Sequence, residues 1–199
     1  MVDPVLLVDL DGTLTRTELL PVIARHVGLE EEMTRLTAAT MAGEIPFDVS
    51  FRERVAMLAD VPIAAVQDAI LSAPVFDELL GLLREQPERA LVVTGNLDVW
   101  VQPFFDRHGL AGISSRATVA DGKVAGIASI LSKDVALAHF GSRPRIAVGD
   151  GANDAAMIRG AEIGIAWCGV HAAAEPVLEV ADYAFAREET LCRFLRRWW

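Results

Sequence analysis

The stretch Val5-Leu6-Leu7-Val8-Asp9-Leu10-Asp11-Gly12-Thr13-Leu14 decides the fold of this chain. Its apolar, partly β-branched first half predicts a fully buried strand that stops at two carboxylates. Side chains alternate along a strand, so Asp9 and Asp11 start on the same side, and a turn at Gly12 can bring both to one point. Two adjacent carboxylates repel each other unless a cation, a shared proton or solvent relieves the repulsion. From this stretch alone a cation site and a plain solvated turn are equally open, since Asp-Gly is a common turn pair.

The composition limits the classes of protein to which this chain can belong. The chain has 199 residues, of which 52% are hydrophobic and 23% are charged, enough for one average domain or for a core with a small insertion. The net charge of −10 argues against non-specific binding to nucleic acid or to an anionic membrane surface. No apolar run has the length of a membrane span, and no secretion signal precedes Asp3, so we expect a cytoplasmic protein, monomeric or homodimeric.

The two cysteines and the C-terminus allow weaker predictions. Cys168 and Cys192 are far apart without metal-type spacing, which favours separate buried thiols, although a single disulfide stays open. We expect Trp198 and Trp199 to end a helix and to pack on the body of the protein or on a partner subunit.

A helical insertion follows the opening stretch. Apolar residues at helical spacing predict four successive helices, at 19–27, 30–41, around 51–58 and 62–71. Ala42-Gly43 closes the second of them. Because no strand lies between these helices, we predict a bundle-like insertion over residues 15–74. Residues 1–14 and 75–199 then form the other domain.

The rest of the chain alternates strands and helices. Strong buried strands are predicted at 89–95 and 145–150, with weaker strands at 112–115, 162–167 and 182–186, and a hairpin at 118–127 around Asp121-Gly122. Helices are predicted at 75–83, 98–108, 132–140, 153–159 and 172–180, and at the C-terminus. This alternation predicts an α/β fold, a Rossmann-like doubly wound parallel sheet covered by helices on both faces.

The three strongest strands end in polar residues. Ligands of such sheets bind outside the carboxyl ends of the strands, so these endings should converge if the strands are parallel neighbours. The endings are Asp9 to Thr13, Thr94-Gly95-Asn96, and Gly149 to Asp154. Their carboxylates are Asp9, Asp11, Asp150 and Asp154. Clustered carboxylates suit Mg²⁺, while a Thr-Gly strand end and a lysine such as Lys133 suit a phosphate.

In this order the motifs resemble those of the haloacid dehalogenase superfamily of phosphohydrolases, and among them the phosphoserine phosphatase group. The family pattern is DxD[GS]T, [ST]G, Lys and GDGxND, matched here by Asp9 to Thr13, Thr94-Gly95, Lys133 and Gly149 to Asp154. The resemblance covers nearly the whole chain, and it implies that the insertion is a helical cap on a haloacid dehalogenase-like core.

The resemblance implies a role for each motif residue. Asp9 would be the nucleophile that forms an aspartyl-phosphate, and Asp11 the general acid and later the base. Asp9, Asp150 and the backbone carbonyl of Asp11 would hold Mg²⁺, with Asp154 acting through water. Lys133 would steady the nucleophile and the phosphate. The phosphate-binding residues would be Thr94, Gly95 and Gly12.

The cap would select the substrate, a small phosphorylated metabolite. From spacing alone, a solvated helix face at Arg54 and plain cap core at Met41 and Phe47 are the favoured interpretation. The resemblance reverses this preference: Glu18 would bind an ammonium group and Arg54 a carboxylate, with Met41 and Phe47 as apolar neighbours. Asn96 stands where the family usually has a second glycine, and there it would crowd the substrate or add a hydrogen bond.

Several activities stay open. Phosphoserine or a similar phosphorylated amino or hydroxy acid is the first choice, and a sugar phosphate or a biosynthetic intermediate is the second. A non-catalytic module that binds Mg²⁺ or phosphate is the third. Dehalogenation would need no carboxylate at Asp11, and a calcium loop would need further acids at alternating positions after it.

Overall fold

The computed structural model describes residues 3–25, 28–41 and 43–199, and in them seven strands form one sheet. The strands are β1 (Val5–Asp9), β2 (Ala90–Leu97), β3 (Gly112–Ala120), β4 (Lys123–Ser129), β5 (Arg145–Gly149), β6 (Ile163–Trp167) and β7 (Tyr183–Phe185). Their order is β4-β3-β2-β1-β5-β6-β7, and only β3 and β4 pair in antiparallel fashion. The predicted α/β class and doubly wound parallel sheet are confirmed.

Nine α-helices accompany the strands in the described part of the chain. They are α1 (Leu19–Arg25), α2 (Glu30–Met41), α3 (Phe47–Met57), α4 (Ile63–Leu71), α5 (Asp77–Glu85), α6 (Asp98–His108), α7 (Ala155–Gly160), α8 (Glu175–Leu178) and α9 (Glu188–Leu195). Short 3₁₀ helices lie at Pro87–Arg89, Lys133–Ala138 and Ala152–Asp154, and a tight irregular turn occupies Leu10–Leu14. No described helix has both the length and the apolar character needed to cross a bilayer.

Strand β1 lies at the centre of the sheet. Val8 pairs with Val92 of β2 on one side and with Val148 of β5 on the other. Every residue of β1 and β2 is buried. The three strands that end in polar residues are therefore parallel neighbours, as predicted, and their carboxyl ends lie together at one edge.

The side chains of β1 alternate between two apolar layers. Leu6 and Val8 belong to the larger layer, which also contains Phe51 of α3 and the fully buried Trp100 and Trp167. Leu7 points to the opposite, smaller layer formed with α7 and α8. The inserted helices thus share a continuous apolar core with one face of the sheet.

The insertion leaves and rejoins the core at one point, where Thr15 and Val75 form an isolated antiparallel bridge. It contains α1 to α4, as predicted, although Val27 and Ala42, which the sequence placed at the ends of the first two helices, lie outside the described residues. The last of these helices contacts the core directly, because the backbone N–H of Ile63 donates to Gly122 O at 2.9 Å. The division into domains stays a prediction.

Three predicted elements differ from the structure. The helix predicted at 132–140 is only the 3₁₀ segment Lys133–Ala138, and the helix at 172–180 is only α8. Residues 172–174 stay outside the helix because Pro176 is tolerated only in the first turn, so α8 begins at Glu175; the N–H of Ala174 instead donates to Asp150 O at 2.7 Å. The strand at 112–115 and the first hairpin strand are one strand, β3, which runs past the end of β2 and then pairs with β4.

Candidate active site

The turn after β1 brings its carboxylates to the carboxyl edge of the sheet. Asp9 is buried at the end of the strand, and Gly12 follows with a φ of +72°. A Cβ built on Gly12 would lie 2.8 Å from Glu18 Oε1 and 3.0 Å from Asp150 Oδ2. Only glycine fits this turn, because its backbone conformation is left-handed and polar atoms crowd its α-carbon.

Lys133 joins two of the motifs. Its Nζ donates to Asp9 Oδ1 and, at 2.6 Å, to Asp154 Oδ1, and all three side chains are buried. Burial lowers the pKa of the ammonium group, but the two carboxylates outweigh burial and hold that pKa above its usual value. Lys133 is therefore a fixed positive charge beside Asp9.

The loop after β5 completes the cluster. Asp154 Oδ2 accepts the backbone N–H groups of Asp150 and Gly151 at 3.2 and 2.9 Å, so its carboxylate is fixed by the loop itself. Thr13, from the turn after β1, donates to Asp150 Oδ1 at 2.5 Å. Asp150 Oδ2 is buried and accepts no hydrogen bond in the described structure.

The cluster carries more negative than positive charge. Asp9, Asp150 and Asp154 each place a carboxylate oxygen within 4.8 Å of the others, and Lys133 is bonded to Asp9 and Asp154. Burial raises the pKa of Asp9 and of Asp150, and neighbouring carboxylates raise both further, against the opposing effect of Lys133 on Asp9. Three buried acids around one lysine form an oxygen-rich donor set that suits a hard divalent cation such as Mg²⁺.

The Asp11 side chain is held apart from that cluster. Thr94 Oγ1 donates to Asp11 Oδ2 at 3.0 Å, and Asn96 Nδ2 lies 2.8 Å from both carboxyl oxygens. The backbone N–H of Leu19 adds a longer bond of 3.3 Å. Burial, and next the charge of Glu18, raise the pKa of Asp11 to about 6. A carboxyl group that titrates near neutrality can give and take a proton in catalysis.

A small cavity lies between these residues and the insertion. Its volume is about 50 Å³, and α2 and α3 contribute Met41, Phe47 and Arg54 to its wall. A Cβ built on Gly95 would collide with the Phe47 ring, and one on Gly151 would lie 3.3 Å from Met41 Sδ. The insertion is therefore closed over the edge of the sheet, with side chains in van der Waals contact across the gap.

Arg54 in that wall is a cation with no acidic partner among the described residues. Its side chain is 5% exposed, and it donates to Ser50 O at 3.3 Å and to Thr37 Oγ1 at 3.4 Å. Within the described residues no acidic oxygen lies within 4.0 Å of it. Burial lowers the pKa of its guanidinium, which Asp11 and Glu18 offset only from a distance. Such a group is suited to receive the carboxylate of a ligand.

Glu18 has a partner that the sequence did not predict. Its Oε1 lies 3.1 Å from Nε2 of His171, and this nitrogen is also 3.2 Å from Asp150 Oδ2. The bond to Glu18 raises the pKa of His171, against the effect of its partial burial. His171 follows β6, another parallel strand, so applying the strand-end rule to this strand as well would have pointed to it.

The structure brings the predicted site residues to one place. The cavity wall contains eleven of them: Asp9, Asp11, Glu18, Met41, Phe47, Arg54, Gly95, Asn96, Lys133, Asp150 and Asp154. Thr94 and Gly12 lie directly behind it, the first bonded to Asp11 and the second under Glu18 and Asp150. The roles of these residues stay predictions.

Comparison with known proteins agrees with this arrangement. The family model for haloacid dehalogenase-like hydrolases matches residues 6–159. The phosphoserine phosphatase of Methanocaldococcus jannaschii is 32% identical over 92% of each chain. That of Halobacterium salinarum is 35% identical, over 79% of this chain and 83% of its own.

Solved structures give the same result. A phospho-aspartyl intermediate analogue of phosphoserine phosphatase superimposes with a TM-score of 0.83 at 29% identity, and covers 99% of each chain. A substrate-bound phosphoserine phosphatase complex gives a TM-score of 0.82, also at 29% identity and 99% coverage of each chain. The chain therefore belongs to the haloacid dehalogenase-like hydrolases, as a phosphoserine phosphatase-like enzyme of that family.

Proposed function

We propose that this phosphatase hydrolyses small phosphomonoesters that also carry a carboxylate and an ammonium group, with phosphoserine as the preferred substrate. The observation that carries the proposal is the position of Asp9, which Lys133 fixes inside an acidic cluster, in the wall of the same cavity as Arg54, a cation without an acidic partner among the described residues. The names of the relatives support the choice of phosphoserine.

In the first half of the reaction, a carboxylate oxygen of Asp9 attacks phosphorus while the bond between phosphorus and the ester oxygen breaks. Lys133 holds Asp9 in place, and Asp11 gives its proton to the departing ester oxygen. The products of this half are the alcohol and an aspartyl-phosphate on Asp9.

In the second half, Asp11 takes a proton from water, whose oxygen attacks phosphorus and releases Asp9 and inorganic phosphate. Asp9, Asp150 and the backbone carbonyl of Asp11 would hold Mg²⁺, with Asp154 acting through water, and the cation would supply the charge that lets a carboxylate approach a phosphate. Two backbone N–H groups fix the Asp154 carboxylate, which supports this role.

The groups that receive the phosphate and the rest of the substrate line the same cavity. We propose that Thr94, Gly95 and Gly12 receive the phosphate. Arg54 receives the carboxylate, and Met41 and Phe47 cover the carbon chain. Glu18 receives the ammonium group, and must then share its carboxylate with His171 or give up that bond.

The second candidate substrates are phosphorylated hydroxy acids, sugar phosphates and biosynthetic intermediates. Arg54 supports the acids among them, because a ligand carboxylate would pair its charge. A non-catalytic binding module is disfavoured, since binding alone needs neither a nucleophile nor a proton donor. A cytoplasmic location and a monomeric or dimeric state stay predictions.

The test is phosphate release from a panel of phosphoserine, phosphothreonine, sugar phosphates and p-nitrophenyl phosphate with Mg²⁺. We expect phosphoserine to have the highest kcat/KM, Asp9→Asn to abolish turnover, and chelation to do the same. Asp68→Asn, on the exposed side of α4, is the matched control and should keep full activity. Undiminished turnover by Asp9→Asn, or full activity after chelation, would overturn the mechanism.

A further inference from the structure

We infer that Asn96 is a positioning residue that fixes the carboxyl group of Asp11 for proton transfer. The inference rests on the proposed function, in which Asp11 protonates the leaving group. It differs from the role in substrate binding that the sequence suggested for Asn96, because the amide is already used by Asp11.

The contacts of Asn96 are directed at Asp11. Its Nδ2 lies 2.8 Å from Oδ1 and 2.8 Å from Oδ2 of that carboxyl group. Its backbone N–H donates to Thr94 Oγ1 at 3.1 Å, and this hydroxyl in turn donates to Asp11 Oδ2. Asn96 therefore holds Asp11 twice, directly through its side chain and indirectly through Thr94.

The orientation of the amide follows from charge. If the amide were flipped, its oxygen would face the oxygens of Asp11, so only the observed orientation places a donor there. In this orientation Asn96 Oδ1 is buried and has no hydrogen-bond partner among the described residues. A buried unpaired acceptor costs free energy, so the contribution of this amide lies in its donor bonds to Asp11.

The remaining contacts of Asp11 would hold its carboxyl group poorly. Without Asn96, the core would contribute only Thr94, which bonds to one of the two oxygens. The other bond, from the Leu19 N–H at 3.3 Å, comes from the insertion and depends on the position of that segment. The carboxyl group could then rotate, and general acid catalysis depends on a fixed geometry.

The role predicts that the effect of a substitution depends on the leaving group. An alkoxide such as that of serine leaves only when it is protonated, whereas p-nitrophenolate is a stabilised anion that leaves without a proton. Loss of the Asp11 geometry should therefore slow the phosphorylation step with alkyl phosphates and spare that step with p-nitrophenyl phosphate.

The experiment measures first-turnover rates for Asn96→Leu, which keeps similar volume but has no donor, and for Asn96→Gly. We expect the rate with phosphoserine to fall about 30- to 100-fold in both variants, because general acids contribute a factor on the order of 100 or more. KM should change less than about threefold, since the inferred role leaves ground-state binding intact. The p-nitrophenolate burst should likewise change less than about threefold.

The matched control is Gln67→Leu, which removes the amide of another, half-buried side chain, bonded to Val99 O at 2.7 Å and not to Asp11. It should leave the ratio of the two rates unchanged. The free energy of unfolding of Asn96→Leu should stay within about 2 kcal/mol of that of the wild type, because removal of the unpaired acceptor offsets part of the loss of the bonds to Asp11.

Two results would overturn the inference: equal losses with both leaving groups, or a raised KM for phosphoserine at unchanged kcat, which would mark a substrate contact. A wild-type enzyme that hydrolyses other alkyl phosphates but not phosphoserine would contradict the proposed substrate alone. The comparison would then be made with the alkyl phosphate that it hydrolyses.

Discussion

Arg54 is buried in the cavity wall, and no described acidic group pairs with it. If it receives the substrate carboxylate, Arg54→Met should raise KM for phosphoserine by about 10- to 100-fold, the value of one or two hydrogen bonds to a charged group. The free energy of unfolding should stay the same or rise by about 1 kcal/mol, because an uncompensated buried charge is removed. Steady-state kinetics and urea unfolding of the same preparation check both parts.

The control for this prediction lies two residues away on the same helix. Arg52 is exposed, so Arg52→Met should change neither KM nor stability measurably. Equal rises in KM for phosphoserine and p-nitrophenyl phosphate in Arg54→Met would reject the carboxylate role, because the second substrate has no carboxylate.

Sequence alone was sufficient to find the residues that belong to motifs, and their convergence followed from the rule for strand ends. It was not sufficient for contacts that depend on side-chain geometry. Asn96 was singled out as a departure from the family, but its bond to Asp11 depends on two strands lying in register. His171 stands in no motif; the strand-end rule applied to β6 marks its loop as a candidate, and the sheet order then places that loop beside Asp150.

At the scale of elements, the long buried strands were predictable because their apolar runs leave few alternatives. The helices predicted at 132–140 and 172–180 were too long. The first is only the 3₁₀ segment Lys133–Ala138, and the second was predicted across Pro176, which a helix tolerates only in its first turn. Apolar periodicity does not include that limit.

The contact between β2 and α3 can be tested at Gly95. A Cβ at this position would collide with the Phe47 ring, so Gly95→Ala should keep the insertion from closing and lower kcat/KM by about tenfold or more. Phe47→Ala in the same chain should recover part of the loss, as measured by a double-mutant cycle.

Gly81→Ala is the control for that cycle, because a Cβ there meets nothing within 4 Å. It should leave kinetics unchanged and stabilise α5 by about 0.5–1 kcal/mol. A double variant no better than Gly95→Ala would show that the lost activity comes from the glycine backbone itself and not from the ring.

The inserted helices should differ in their freedom to move. Helix α4 is hydrogen-bonded to the core through Gln67 to Val99 O at 2.7 Å and through Arg107 to Leu71 O at 3.0 Å, whereas α2 and α3 reach the site through side chains such as Met41 and Phe47. We expect opening to involve α2 and α3 while α4 stays with α6.

Hydrogen exchange followed by mass spectrometry checks this. In the Asp9→Asn variant, phosphoserine should slow exchange in α2 and α3 and leave α4 nearly unchanged. Equal protection of all the inserted helices would contradict the prediction and would favour motion of residues 15–74 as one body.

At the scale of the whole molecule, the carboxyl ends of the strands form the edge that carries the site, and their amino ends form the opposite edge. The carboxyl edge carries buried carboxylates whose mutual repulsion destabilises the fold unless Lys133 and a cation offset it. The opposite edge is tied to the C-terminus. There Arg89 donates to Pro4 O at 3.0 Å and to Trp198 O at 2.9 Å, just before β1 and β2 begin.

Trp199 also lies at this opposite edge, and it should contribute to stability without affecting catalysis. Its Nε1 donates to Leu82 O at 2.9 Å, and the Arg89 guanidinium lies 4.6 Å from its ring centre. Trp199→Ala should lower the free energy of unfolding by about 1–2 kcal/mol, from lost packing, one hydrogen bond and a cation–π contact. Trp198→Ala, at a side chain that is 46% exposed, should change it by less than about 0.5 kcal/mol. Because the site lies at the far edge, kcat/KM at 25 °C should be the same for both variants, and a loss in Trp199→Ala alone would show that the two edges are coupled through the strands.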